Sequence, residues 1–155
     1  MAEAFEVQIA EAVVAELNGT GPSGGWLKAF TAEFDWLAVY QDDDERLETL
    51  RVDVVPDTIA NESLDRARSR FDYGVEIVIQ KRISFQDRAA ARDEMKALAK
   101  FAEQIHDYYL DNHELASLTG YRVLKADREQ VHDLDALYAQ HVWGTVITLG
   151  VRGYR

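Results

Sequence analysis

The stretch RSRFDYGVEIVIQKRIS, residues 68–84, decides the fold class because its side chains alternate between apolar and polar over a long run. Asp72, Glu76 and Gln80 occupy alternate positions. The positions between them hold the apolar residues Phe71, Tyr73, Val75, Ile77 and Ile79. A period of two residues is typical of a β-strand with one buried face and one solvated face. The stretch therefore predicts a long strand whose polar face carries no evident catalytic group.

Two further alternating segments precede this strand. Residues 30–40, FTAEFDWLAVY, and residues 49–56, TLRVDVVP, each predict a strand with one buried face, and Pro56 is expected to end the second one. We predict that these two strands form an antiparallel pair. Residues 57–69 are polar and irregular, which predicts a loop or a short edge strand. In the first segment the expected buried side chains are Phe30, Ala32, Phe34 and Trp36.

Helical periodicity marks two other segments. Residues 4–17 carry apolar side chains at every fourth position, which predicts an amphipathic N-terminal helix. Residues 87–112 predict a long helix that begins near Ser84 and Asp87, a pair that resembles a capping box. Its apolar stripe is expected to lie flat on the sheet. The stripe consists of Met95, Leu98, Phe101, Ala102, Ile105, Tyr108 and Tyr109.

The C-terminal third completes the predicted fold. Residues 121–131 predict a strand or edge segment, residues 132–140 are ambiguous and compatible with a helical turn, and residues 141–154 predict a final strand. The order is therefore α-β-β-β-α-β-β, which indicates an α+β fold. We expect an antiparallel or mixed sheet of about four to six strands, packed on one face by the two helices. Residues 1–155 contain no repeat or linker, so we predict a single domain.

Composition narrows the function classes. The 155 residues are 47% apolar and 10% aromatic, which favours a packed globule over disorder. The formal net charge of −11 disfavours a general nucleic-acid binder, although an acidic surface would let DNA pass without sticking. No cysteine is present, and no segment reaches the roughly 20 apolar residues that span a bilayer. The acidic N-terminal stretch is not expected to be a secretory signal.

A search for catalytic chemistry finds little. His106 and His113 are seven residues apart, a wider spacing than helical metal ligands prefer. His132, Asp133 and Asp135 offer nitrogen and oxygen ligands in one segment, and they support an alternative hypothesis of a small metal-dependent hydrolase. We consider that alternative less favoured. The prediction is a protein without catalytic residues, cofactor or metal.

Two charged runs are candidate interaction sites. The acidic run consists of Asp42, Asp43, Asp44 and Glu45, and it predicts a solvated turn or a negative patch at a subunit seam or pore. The basic run consists of Arg66, Arg68 and Arg70, which would share one face of an extended strand. These arginines could contact DNA phosphates, pair with the acidic run of a neighbouring subunit, or form a plain charged edge. A small cytoplasmic binding module that uses this edge is a further alternative.

The order of these motifs resembles that of small tail-terminator and tail-completion proteins of tailed bacteriophages. The resemblance covers nearly the whole chain and rests on the runs AVVAELN, FTAEFDWLAVY, LETLRVDVVP, DRARSRFDYGVEIVIQKR and TVITLGVRGYR. It implies a subunit of a hexameric ring that terminates the tail tube and joins it to the head. The same resemblance extends to other neck or head–tail connector components.

The resemblance also implies partners and location. The partners would be other copies of the chain, the tail tube protein and a neck or head-completion protein. DNA would pass through the lumen without sequence-specific binding. The location would be the virion, assembled in the bacterial cytoplasm, with no membrane association. The acidic run, the basic run, and Asp72, Glu76 and Gln80 are then candidate lumen or subunit-interface residues.

Overall fold

The computed structural model describes residues 3–40, 44–65, 67–110, 113–130 and 132–154. They form one mixed six-stranded sheet with three α-helices, which confirms the predicted α+β class. The helices are α1 Phe5–Leu17, α2 Arg88–Tyr108 and α3 Leu134–Gln140, and a 3₁₀ helix spans Glu45–Glu48. The strands are β1 Ala32–Phe34, β2 Arg51–Ser63, β3 Ser69–Arg82, β4 His113–Glu114, β5 Arg122–Asp127 and β6 Val142–Tyr154.

The sheet has the strand order β1-β2-β3-β6-β5-β4. The opening stretch forms β3, and β3 lies at the centre, paired antiparallel with β2 on one side and β6 on the other. The register places Ile77 of β3 opposite both Val54 of β2 and Ile147 of β6. The predicted alternation of β3 and β6 is confirmed, because side chains at every second position are buried on one face of the sheet.

The hydrophobic core lies between that face and the two longer helices. Ile9, Val13 and Leu17 of α1 are buried against the sheet, as the fourfold spacing predicts. The stripe of α2 is buried at Leu98, Phe101, Ala102, Ile105 and Tyr109. Both helices therefore cover the same face, which we call the core face, and α2 begins where the Asp87 carboxylate accepts hydrogen bonds from Ala89 N and Ala90 N.

The predicted antiparallel pairing of the first two strands is wrong. β1 has only three residues and pairs parallel with β2, with Ala32 opposite Val52. Parallel neighbours require a crossover connection, and residues 35–50 provide it. The strand ends at Phe34. The carboxylate of the next residue, Asp35, accepts hydrogen bonds from the backbone amides of Trp36 and Leu37. Trp36 is accordingly 62% exposed and not on a buried face.

Pro56 does not end β2. The strand continues to Ser63 after a register shift between Pro56 and Ile59, so most of the segment predicted as a loop or a short edge strand is a continuation of β2. The shift accommodates a residue that cannot donate a hydrogen bond to the ladder. We call residues 57–70, the outer end of the β2–β3 hairpin, the arm. Its β2 side is exposed throughout, and the described β1 pairs with β2 at Val52–Val54, away from the arm.

Candidate functional site

The second face of the sheet, opposite the core face, holds a concave surface. It is a groove of about 700 Å³ whose floor is formed by β3 and β6. Residues 38–40 form one wall, and residues 129–140, including α3, form the other. The floor side chains are Glu76, Val78, Gln80, Val146 and Thr148, with Gly144 between them. The polar face predicted for β3 is therefore the floor of a groove.

The groove is acidic. Asp57, Glu76, Glu129 and Asp133 line it, and none of its described lining residues is basic. Burial raises the pKa of Glu76, and the negative charge of Asp57 raises it further. Both effects act against the charged form of the carboxylate. Carboxylates in this arrangement attract guanidinium and ammonium groups.

A buried polar network holds the first wall in place. The Tyr40 hydroxyl donates a hydrogen bond of 2.6 Å to Asp53, whose carboxylate is fully buried. Arg51 donates bonds of 2.9 Å to Asp53 and 2.9 Å to Glu33. Burial and the hydrogen bond to Asp53 raise the pKa of Tyr40 to about 12. We call residues 35–40 and 44–50 the strap, because they cross the second face and are tied to it.

Other contacts fasten the strap along its length. The Gln80 side-chain amide donates to the Ala38 carbonyl at 2.9 Å, and Arg82 pairs with Glu48. The Arg46 guanidinium lies 4.6 Å from the centre of the Tyr40 ring. These contacts come from β3 and from the strap itself, so the wall moves only if several hydrogen bonds break together.

Exposed apolar side chains surround the groove. Val39 on the strap is 71% exposed and Val146 on the floor is 39% exposed, and both line the groove. Trp36 and Leu37 continue the apolar run along the strap. Exposed apolar groups are common singly, but a cluster beside a groove marks an interaction site.

The predicted β3 candidates divide into two groups. Glu76 and Gln80 line the groove. Asp72 lies farther along the strand and accepts a 2.7 Å hydrogen bond from Arg152 of β6. That guanidinium holds the pKa of Asp72 below its usual range. Asp72 is therefore part of a cross-strand ion pair that joins β3 to β6.

The acidic run is only partly described, since Asp42 and Asp43 lie outside the described residues. Asp44 caps the 3₁₀ helix by accepting a hydrogen bond from Arg46 N, and Arg46 also binds it through the guanidinium at 2.7 Å. That pairing holds the pKa of Asp44 down at about 2. Glu45 is the first residue of the 3₁₀ helix and is exposed. The described half of the run therefore begins a short helix instead of forming an open turn.

The basic run does not form a continuous strand face. Arg66 lies outside the described residues, and Arg68 precedes β3 in the turn of the hairpin. The Arg68 guanidinium lies 5.4 Å from the centre of the Tyr154 ring, and Arg70 pairs with Glu62. The prediction that all three arginines project from one strand face is therefore wrong for Arg68. Both described arginines already have partners within the chain.

The histidine alternatives have structural partners. Asp133 caps α3 by accepting hydrogen bonds from Asp135 N and Ala136 N. His106 contacts the Ala126 carbonyl through Nε2 at 2.9 Å, and His113 Nε2 contacts the buried Glu16 carboxylate at 2.5 Å. Within the ranges that the structure describes, no group of three or more His, Cys, Asp or Glu side chains is placed to hold a metal ion.

The sequence reasoning missed one charged feature, a basic stripe on α2. Arg88, Arg92, Lys96 and Lys100 follow one another at every fourth position and are all exposed. The signal was present in the sequence as R-x₃-R-x₃-K-x₃-K. The apolar stripe of the same helix predicts only its buried side, and the basic stripe lies on the exposed side.

None of the described helices is long and apolar enough to span a membrane. Comparison with known proteins finds no family model that matches the chain and no curated protein that matches its sequence.

Proposed function

We propose that the chain is a structural subunit that assembles with copies of itself into a ring of the tail-terminator or tail-completion class of bacteriophage proteins. The motif order of the sequence supports the class. The α+β fold with an N-terminal helix, a long helix and a central long hairpin agrees with what that resemblance implies.

The observation that carries the proposal is the uncovered second face of the sheet. Helices seal the core face, whereas the second face leaves a groove with partly buried Glu76 and exposed Val39 and Val146. A sheet face that water can reach does not by itself require a partner, but a groove with exposed apolar side chains beside it favours one. A subunit that presents such a face and a separate exposed arm has the two different surfaces that a heterologous contact requires.

A heterologous contact repeated around an axis closes into a ring when its rotation divides a full turn, and the proposal takes this closed form because the resemblance implies a hexameric ring. In a hexameric ring the partners at the two rims would be the tail tube protein and a neck or head-completion protein. The net charge of −11 would let DNA pass through the lumen without sequence-specific binding. Glu76 and Gln80 would face a neighbour or the lumen. The role is structural, and the proposal assigns no reaction and no cofactor to the chain.

Native mass spectrometry tests the proposal directly. We expect the purified chain to give a hexamer of the 17.6 kDa subunit, favoured by protein concentration, and negative-stain images to show rings with a central hole. Spectra at low and moderate salt identify the contribution of charge to the seam. A chain that stays monomeric at high concentration, and also in the presence of tail tubes, would contradict the proposal.

A further inference from the structure

The basic stripe of α2 lies on the side of the molecule that faces away from the sheet. Its four cations, Arg88, Arg92, Lys96 and Lys100, are exposed, while Leu98 and Ile105 of the same helix are buried against the core face. None of the four forms an ion pair with another described residue, although other basic side chains such as Arg51, Lys81 and Arg152 do. A chain of net charge −11 therefore keeps a line of unneutralised positive charge.

The acidic groove lies on the opposite side of the sheet. Its floor belongs to the second face, while α2 packs on the core face. The two features have similar lengths. The stripe spans thirteen residues of helix, from Arg88 to Lys100, or about 18 Å, and the floor from Val142 to Thr148 spans about 20 Å of strand.

We propose that the basic stripe of α2 docks into the acidic groove of a second copy of this chain, and that this contact is the seam of the assembly. The inference rests on the proposed function and adds the residues that form its interface. Stripe and groove are different surfaces on opposite sides of one subunit, which makes the contact heterologous and repeatable from copy to copy. Glu76 then faces a neighbour and not the lumen.

Charge complementarity selects the partner. The groove has four acidic lining residues and no described basic one, and the stripe has four cations without described partners. Burial and the charge of Asp57 raise the pKa of Glu76, and docking would place a cation beside this carboxylate, which would oppose both effects. A polyanion such as DNA would match the stripe alone and would be repelled by the rest of the molecule. A second copy satisfies both surfaces at once.

Apolar contacts accompany the charges on both sides. Val39 and Val146 are exposed in the groove. Beside Arg88 and Arg92, a depression of about 550 Å³ contains the exposed Leu134 and Tyr138 of α3. Charged rims around apolar centres are the usual arrangement of protein interfaces, in which charge sets the register and apolar burial supplies affinity.

Charge reversal tests the contact. We expect Lys96→Glu and Glu129→Lys each to raise the concentration for half-assembly at least tenfold, because like charges then face each other. An equimolar mixture of the two variants should assemble again, since each reversed surface meets a reversed partner. The matched controls Lys28→Glu and Glu11→Lys change the net charge equally at sites outside both surfaces, and they should assemble as the parent chain does. Circular dichroism verifies that each variant is folded.

Zero-length carbodiimide cross-linking gives a second measurement. The reagent joins lysine amines to carboxylates in contact, and a mixture of ¹⁵N-labelled and unlabelled chains distinguishes links between subunits from links within one. We expect intersubunit links from Lys96 or Lys100 to Asp57, Glu76 or Glu129. The Lys81–Glu94 ion pair supplies an internal link as a positive control.

The outcomes separate the two proposals. Rings that form unchanged in Lys96→Glu and Glu129→Lys, or that give intersubunit links only elsewhere, overturn this interface and leave the proposed function standing. A parent chain that never assembles removes both. Duplex DNA that binds the parent chain at moderate salt and not Lys96→Glu would show that the stripe serves a polyanion, and this also overturns the inference.

Discussion

The buried network of Tyr40, Arg51 and Asp53 should determine whether the strap stays on the sheet. Removing the Tyr40 hydroxyl by Tyr40→Phe deletes a 2.6 Å hydrogen bond to a fully buried carboxylate. A hydrogen bond to a charged group contributes about 1.5–3 kcal/mol. Asp53 keeps its bond from Arg51, so we expect the loss to lie near the lower end, at about 1.5–2 kcal/mol.

Asp53→Ala should cost more. It leaves the Arg51 guanidinium, whose side chain is 13% exposed, with Glu33 as its remaining carboxylate partner. Removing one member of a buried ion pair typically costs about 3–5 kcal/mol, because the other charge stays buried without compensation. The double variant should lose less than the sum, with a coupling of about 1–2 kcal/mol, since both changes delete the same hydrogen bond.

Urea denaturation followed by circular dichroism measures these free energies of unfolding. Tyr40→Phe should also lower Tm by about 3–8 °C in a domain of this size. Hydrogen exchange supplies the local readout, because the amides of the strap should lose protection before those of β3. Tyr138→Phe is the matched control, as Tyr138 is 91% exposed and its change should stay within about 0.5 kcal/mol of the parent chain. Equal stabilities of the two phenylalanine variants would refute the reasoning.

Three further predictions concern the groove, the sheet and a helix start. Glu76→Gln should raise the free energy of unfolding at pH 7 by no more than about 0.5 kcal/mol, because solvent screens the site. A slight rise in Tm should accompany it. The pKa of Glu76 is raised in the folded state, so the stability that this residue contributes is fully present below its unfolded-state pKa and is lost as pH rises through its folded-state pKa. The stability gained by Glu76→Gln should therefore vanish near pH 4, which calorimetry measures. Gly153→Ala should cost about 1–3 kcal/mol in urea denaturation, because a Cβ there would collide with the Tyr121 ring. Asp87→Ala should cost about 1 kcal/mol by the same assay, through loss of the α2 cap.

The glycine and helix-start predictions each have a matched control variant in the chain, and the groove prediction is controlled by its pH dependence. Gly144→Ala on the same strand meets its nearest atom at 3.5 Å, an ordinary contact, and should be tolerated. Asp93→Ala changes an exposed carboxylate inside α2 and should leave stability within about 0.5 kcal/mol. A Glu76→Gln gain that persists unchanged at pH 4 would mean that packing, and not ionisation, is responsible. Equal losses in each control pair would contradict the corresponding mechanism.

Periodicity predicted the parts of the fold in which one residue pattern dominates. In β3 and β6 every second residue is apolar over most of the strand. In α1 and α2 apolar residues recur at every third or fourth position over more than three turns. In these long segments the burial pattern is sufficient to predict the type of element. The short α3 has no buried apolar stripe, and its main helix signal is the Asp133 cap. Periodicity therefore predicts no more than a possible turn there.

The first strand failed because alternation is a local signal, whereas pairing direction is not. Phe34 and Trp36 alternate like buried residues, yet Asp35 folds its carboxylate back onto the chain and ends the strand between them. The partner that binds the strap, Asp53, reads in sequence as a solvent-facing residue of β2. Asp53 is buried because Tyr40 of the strap covers it and donates a hydrogen bond to it, and the sequence of β2 alone does not predict that contact.

The candidate site was half predictable for the same reason. Glu76 and Gln80 follow from the polar side of β3, since a strand must present its second face somewhere. The walls of the groove come from the strap and from residues 129–140, which are distant in sequence, and only tertiary structure brings them together. The basic stripe of α2 was readable by its fourfold spacing.

The position of β6 has a consequence for biosynthesis. β6 follows every other described element in sequence, yet it lies inside the sheet, with Arg70 of β3 opposite its Tyr154. Until the ribosome has released residue 154, β3 lacks its second neighbour and the nascent chain exposes its apolar side to chaperones. The groove floor, built from β3 and β6 together, does not exist before that moment. A copy of the chain therefore cannot offer this groove to another copy until its residues 142–154 have been synthesised and have paired with β3.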